Sequence, residues 1–275
     1  MSYKLIVLNL DEENAVDPLV KMAAALGEEF KTHIVGVHSL PLVEQPVSMV
    51  HYLPAEFYEK LNDSNLARAE KIKNTFELAM KAHNMPSEWM LHRGLGTGGT
   101  RNLIDHVRTS DLVIVSQNSK ERMPWLQREL LQKTATPMMV VPSGGVDEFK
   151  AKKISIAWNG SMQTVRAIRD SMDLLIRADD VRLVCVGSES KDNPRQIAGS
   201  DAATWLSHHG VNITLDEHLE KHLKAGISIV NAIEESGADL IVMGGYGHSP
   251  LYDVVVGGVT DDVLSNAEIP VFLSH

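Results

Sequence analysis

Short apolar runs of strand type alternate along the chain with longer stretches whose apolar positions recur at helical spacing. Lys4–Asn9 and Thr32–Ser39 are such runs, with a helical period over Asp17–Leu26 between them. Leu40–Pro54 carries three prolines and no period, and reads as a loop. Ala55–Asn84 is charged and periodic, one long helix or two broken near Asn62-Asp63. Trp89–His92 is a weak strand, Thr100–Arg108 a helix, Asp111–Ser116 a strong strand, Trp125–Lys133 a helix and Pro137–Val141 a strand. After Ser143–Ala151, which has two glycines and mixed charge, the alternation restarts. Strands are expected at Ile154–Trp158, Arg182–Val186, Asn212–His218, Leu240–Met243 and Val271–Ser274. Helices are expected at Thr164–Arg177, Asn193–His208, Ala225–Ser236 and Val259–Ala267. Such alternation predicts an α/β fold of two tandem doubly wound parallel-sheet domains, residues 1–142 and 152–275, joined by a linker at 143–151.

The halves align on one another. KLIVLN (Lys4–Asn9) matches ISIAWN (Ile154–Asn159), SDLVIV (Ser110–Val115) matches ADLIVM (Ala238–Met243), and TPMMVV (Thr136–Val141) matches IPVFLS (Ile269–Ser274). Order and type would follow from any doubly wound fold. Asn, Asp-Leu and Pro at matching places favour a duplication.

Length changes this picture little, because 275 residues suit two domains of ordinary size. Hydrophobic residues at 44% and charged residues at 23% are those of a soluble globular chain. A net charge of −10 argues against a nucleic-acid surface, since phosphates would be repelled over the whole molecule. Cys185 is the only cysteine, which excludes an intrachain disulfide framework and fits a reducing compartment. The start is a strand followed by acids, not a signal peptide, and no apolar run reaches membrane-spanning length. A cytoplasmic location is expected.

Candidate chemistry concentrates in Asp239–Thr260. The strand Leu240–Met243 stops at Gly244-Gly245, Gly247 follows, and Gly257-Gly258 stand before the helix from Val259. Glycines admit positive φ and close approach of a ligand, and the free N–H groups of a helix start attract anions, phosphate above all. The alternative is that these glycines only make a turn, the lesser reading for four at this spacing on both sides of a loop.

Gly244-x2-Gly247-x9-Gly257-Gly258, on a strand–loop–helix leading to a Pro-led strand at Pro270–Leu273, resembles the universal stress protein family in its tandem form. The resemblance implies that an adenine nucleotide (ATP, or AMP or ADP, with Mg²⁺ as a companion ion) is held in the second domain. It places Ala157, Asn159, Val186, Met243, Gly244, Tyr246, Gly247, Gly257, Gly258, Val259 and Thr260 around that nucleotide. Two departures stand out. The family has Ser or Thr where this chain has Gly258, and an Asp where it has Asn159, so a hydroxyl and a charge for Mg²⁺ are missing. Asn159 either contacts base or ribose or only starts a turn; Val186 either flanks the base or is core. The family's last strands also pair antiparallel, which implies an intrachain pseudo-dimer through Met138–Val141 and Val271–Leu273, and a homodimer beyond it.

In the first half Ser116 and Ser119 stand where Gly244 and Gly247 stand, the loop is five residues shorter, and Pro124-Trp125 replace the glycine pair. A proline without N–H beside an indole is expected to exclude phosphate there.

Other chemistry is thin. His208-His209, His218 and His222 do not share one helix face, and no zinc motif is present. Asp261-Asp262 fit the dipole of the helix start better than a metal role. The P-loop, nucleophile-elbow and dinucleotide-binding motifs are all missing. The expectation is therefore a stress-response regulatory protein read by protein partners. Two rivals remain: a slow ATPase or self-phosphorylating enzyme using Tyr246, His248, Ser249 or Thr260, and a scaffold without nucleotide.

Overall fold

The computed structural model describes residues 3–42, 55–95, 98–117, 123–187, 199–219, 225–247 and 258–275. The chain divides into two compact units, Tyr3–Val115 and Ser116–His275.

In the first unit four parallel strands, β1 (Leu5–Asn9), β2 (His33–Leu42), β3 (Ser87–Leu95) and β4 (Leu112–Ser116), lie in the order β3-β2-β1-β4. Three helices connect them: α1 (Glu13–Phe30), α2 (Ala55–Ala82) and α3 (Gly98–Val107). Every residue of β4 is buried, as a strand covered on both faces requires. α1 is longer than its periodic core and ends at Lys31, whose φ of 53° turns the chain into β2. α2 is one helix with no break at Asn62-Asp63. β3 is also longer than its weak apolar signal; paired residue by residue with β2, it takes its stability from that ladder and from Trp89 packed on Phe76.

The second unit begins with the end of the first repeat. α4 (Trp125–Thr134) and β5 (Met138–Val141) precede β6 (Lys153–Trp158), α5 (Met162–Asp170), α6 (Met172–Arg177), β7 (Asp180–Gly187), α7 (Gly199–His208), β8 (Ile213–Leu219), α8 (Ala225–Ser236), β9 (Leu240–Gly244), α9 (Val259–Asn266) and β10 (Val271–Ser274). The strand order is β5-β10-β9-β6-β7-β8. All neighbours are parallel except β5 and β10, which run antiparallel with Val271 opposite Val140 and Leu273 opposite Met138. The one helix expected at Thr164–Arg177 is two, divided at Ser171, whose hydroxyl turns back onto the Ala167 carbonyl at 2.7 Å.

The order β8-β7-β6-β9 matches β3-β2-β1-β4, and an aspartate stands at the same place in each. Asp111 Oδ2 accepts the backbone N–H groups of Lys4 and Leu5 at 2.8 and 2.9 Å. Asp239 accepts those of Lys152 and Lys153 at 2.9 and 3.1 Å. Each aspartate ties the start of the first strand of its repeat to the start of the fourth. Repeat and packing divide the chain differently, however. α4 and β5 belong to the first repeat in sequence but pack with the second: β5 on β10, and Gln117 donating from its side chain to the Leu264 carbonyl.

Candidate functional site

In the second unit the chain leaves β6 toward β7 on one side and returns through β9 on the other, so the strand order reverses between β6 and β9. A crevice at the carboxyl ends of such a pair is where open α/β sheets take ligands. Ala157 and Met243 are register partners just inside it, both buried.

Beyond β6, the side-chain oxygen of Asn159 accepts Ser161 N–H at 3.0 Å and the Thr164 hydroxyl at 2.6 Å. Ser161 caps α5 by accepting Thr164 N–H at 3.2 Å. Asn159 is therefore a turn former here; its oxygen is taken up, and the amide N–H groups are what it has to offer a ligand.

Beyond β9 the glycines do something other than the motif suggests. Positive φ falls on Tyr246 (49°), and Gly244, Gly245 and Gly247 are not in that region. Gly244 is required by closeness: a Cβ there would lie 2.6 Å from Thr164 N and 2.8 Å from the Gln163 carbonyl carbon, in the backbone of α5. At Gly247 the nearest atom to an added Cβ is the movable end of Gln163, Oε1 at 3.0 Å. Of the two, Gly247 is the more open.

The left-handed turn at Tyr246 brings its ring against the start of α9. Its N–H reaches the Thr260 hydroxyl at 3.3 Å, and its phenol donates to Asp261 Oδ1 at 2.6 Å. Asp261 Oδ1 also accepts Met123 N–H at 3.2 Å. Arg128 of α4 lies with its guanidinium 4.7 Å from the centre of the Tyr246 ring and 3.9 Å from Asp261 Oδ2. Burial, then the hydrogen bond to Asp261, raises the Tyr246 hydroxyl well above the ordinary range for a phenol. Asp262 lies against Gly226 of α8. The two aspartates thus serve packing on different sides of α9.

Gly258 is the N-cap of α9, with no side chain to cap it; Val259 is exposed and Thr260 buried. Gly257, His248, Ser249 and Ser119 lie outside the described residues, as does His222. The backbone of Val186 is in β7, opposite His218, and the side chains of both lie outside the described set. Among the described residues no three His, Cys, Asp or Glu side chains form a metal-ligand group. Cys185 is buried, and burial followed by Glu217 and Asp216 pushes its thiol up to about 11. In the first repeat Pro124 caps α4, the Ser116 carbonyl accepts from Gln127 at 2.7 Å, and Trp125 is 56% exposed.

Ser161, Gln163 and Arg128 are missed by motif reading, and Asp261 is read there only as a partner of the helix dipole. Ser161, three residues before Thr164, is a legible N-cap; Arg128 and Gln163 leave no local signal.

Residues 212–275 match the model of the universal stress protein family, which spans β8 to β10 and includes every element just described beyond β9. That stretch of the chain is similar to the universal stress protein family. A universal stress protein of Synechocystis is 24% identical over 217 residues, 75% of this chain and 72% of that one. A universal stress protein from Archaeoglobus fulgidus has the same fold over 99% of this chain and 96% of its own (TM-score 0.75, 15% identity). A universal stress protein from Pseudomonas aeruginosa does so over 99% and 93% (TM-score 0.61, 13% identity). At these identities the likeness to the solved structures is one of fold. Among the described residues no helix is long and apolar enough to cross a membrane.

Proposed function

We propose that this chain is a universal stress protein that binds one adenine nucleotide, ATP or a lower phosphate, at the carboxyl ends of β6 and β9, and that partner proteins read the nucleotide state. The observation that carries the proposal is the meeting of three elements at the strand-order reversal. The free amide of Asn159, the open backbone at Gly247 and the unsatisfied N–H groups at the start of α9 all lie there. Two universal stress proteins that align with about half of this chain were solved with cAMP and with AMP. At TM-scores of 0.38 and 0.35 that likeness is too loose to place a ligand, and the proposal rests on the geometry.

The residues present fit a nucleotide better than they fit a protein-held cation. Tyr246 and Met123 occupy Asp261, and Asn159 brings no charge, so Mg²⁺ would arrive with the phosphates. A reducing cytoplasm suits the lone buried Cys185, and partners would include a second copy of the chain.

Mass spectrometry of the denatured protein for co-purified nucleotide, followed by calorimetry, tests this. Expected are one site per chain, micromolar to millimolar affinity, loss of binding in Gly247→Val, and a gain of about 0.5–1.5 kcal/mol in Gly258→Ser. Two sites per chain would show the site to be misplaced. A second reading, a scaffold without nucleotide, is favoured by the internal satisfaction of the Asn159 oxygen. Binding absent from the unmodified chain but gained in Gly258→Ser would establish that reading instead.

A further inference from the structure

Three buried polar atoms without a hydrogen-bond partner among the described residues converge at one place in the first unit. They are Ser39 Oγ, His92 Nε2 and His106 Nε2. Ser39 on β2 and His92 on β3 are register partners of a parallel ladder, so both side chains leave the same face of the sheet. α3 packs on that face and brings His106 to His92 with ring centres 6.0 Å apart and planes tilted by 58°. Buried polar groups are normally paired, and orphans gathered on one face of the sheet call for a partner.

The chemistry of the three atoms selects what that partner is. With its proton on Nδ1, each unpartnered Nε2 offers a lone pair. Two imidazoles that share one ion at the usual Zn–N distance of roughly 2.0–2.1 Å have ring centres about 5–6 Å apart, and the observed pair stands at the upper end of that range. Nitrogen donors select borderline transition cations over Mg²⁺ or Ca²⁺, which take oxygen.

The geometry points to a second site, unconnected with the nucleotide: a divalent transition cation of the zinc class held by His92 Nε2 and His106 Nε2. Ser39, the register partner of His92, stands on the same face, and water completes the open positions. Two protein nitrogens make an exchangeable site of micromolar affinity, not a structural zinc centre, which takes four ligands. A single trapped water would satisfy the same three atoms, and titration separates the two.

The full chain, stripped with chelator, is titrated with zinc chloride in a calorimeter, with magnesium chloride as the contrasting probe. One Zn²⁺ per chain is expected, with no comparable Mg²⁺ binding. His92→Ala and His106→Ala should each weaken Zn²⁺ by at least about tenfold, because each removes half of the nitrogen donors. His83→Ala, exposed in the turn after α2, should not. Should either variant fail to fold, ¹⁵N imidazole resonances of the unmodified chain decide: substoichiometric Zn²⁺ must shift those of His92 and His106. Absence of Zn²⁺ binding, affinity unchanged in both variants, or shifts confined to other histidines overturns the proposal and leaves a water in its place.

Discussion

Tyr246 donates its phenol proton to Asp261 across 2.6 Å, and it does so from a left-handed backbone, φ 49°, that a bulky residue rarely adopts. The strain is offset because the turn seats an aromatic ring between Arg128 and the first turn of α9. Tyr246→Phe keeps the ring and removes the bond to a buried carboxylate. We expect it to lower stability by about 1–3 kcal/mol, read as a shifted urea midpoint at unchanged slope.

The same bond has a pH signature. The native phenol holds its proton to higher pH than the unfolded one, so between the two values the native state binds more protons. The stability it contributes is complete below about pH 10, the unfolded value, and is lost as pH rises above it. The difference in stability between the unmodified chain and Tyr246→Phe should shrink over that alkaline window. A constant difference would show that the phenol is not held as described.

Two glycines of one motif should behave differently. Gly244→Ala drives a methyl into the backbone of α5 and is expected to cost about 1–3 kcal/mol whether or not nucleotide is present. Gly247→Ala meets only the end of Gln163, and thermal unfolding should leave its stability close to that of the unmodified chain. Any loss in Gly247→Ala should appear in nucleotide binding.

Gly258→Ser supplies the missing N-cap hydroxyl of α9. A gain of a few tenths of a kcal/mol without ligand is expected from denaturant unfolding.

His92 predicts an acid-sensitive first unit. Its native proton affinity is lowered, so below about pH 6.5 the unfolded state binds more protons, and stability falls as pH drops through that value. His92→Gln should show a shallower loss between about pH 7.5 and pH 5.5 than the unmodified chain, by thermal melts across the series.

The scaffold is legible in the sequence because its signals are local. Leu240–Met243 and Leu112–Val115 are apolar runs long enough only for strands, and the Asp-Leu pair before each marks a repeated hydrogen-bonding task. The motif also locates the turn after β9 correctly. It does not show which residue takes positive φ, because Tyr246 carries no such signature and its conformation is fixed by Asp261 and Arg128, distant in sequence. Ser39, His92 and His106 are scattered over two strands and a helix, and only the β2–β3 register and the docking of α3 unite them. The longer β3 is invisible for a related reason: its residues owe their extended state to a neighbour.

The antiparallel ladder between β5 and β10 means that the sequence match between the halves and the packing follow different seams. A duplicated gene would be cut and shuffled near Ser143–Ala151, where the repeat restarts. A fragment ending there would carry away Val140 and Met138, whose partners are Val271 and Leu273. Recombination at that junction would give a chain whose last helix and strand belong to someone else's fold. A protease that nicks the same stretch would leave two pieces that still travel together.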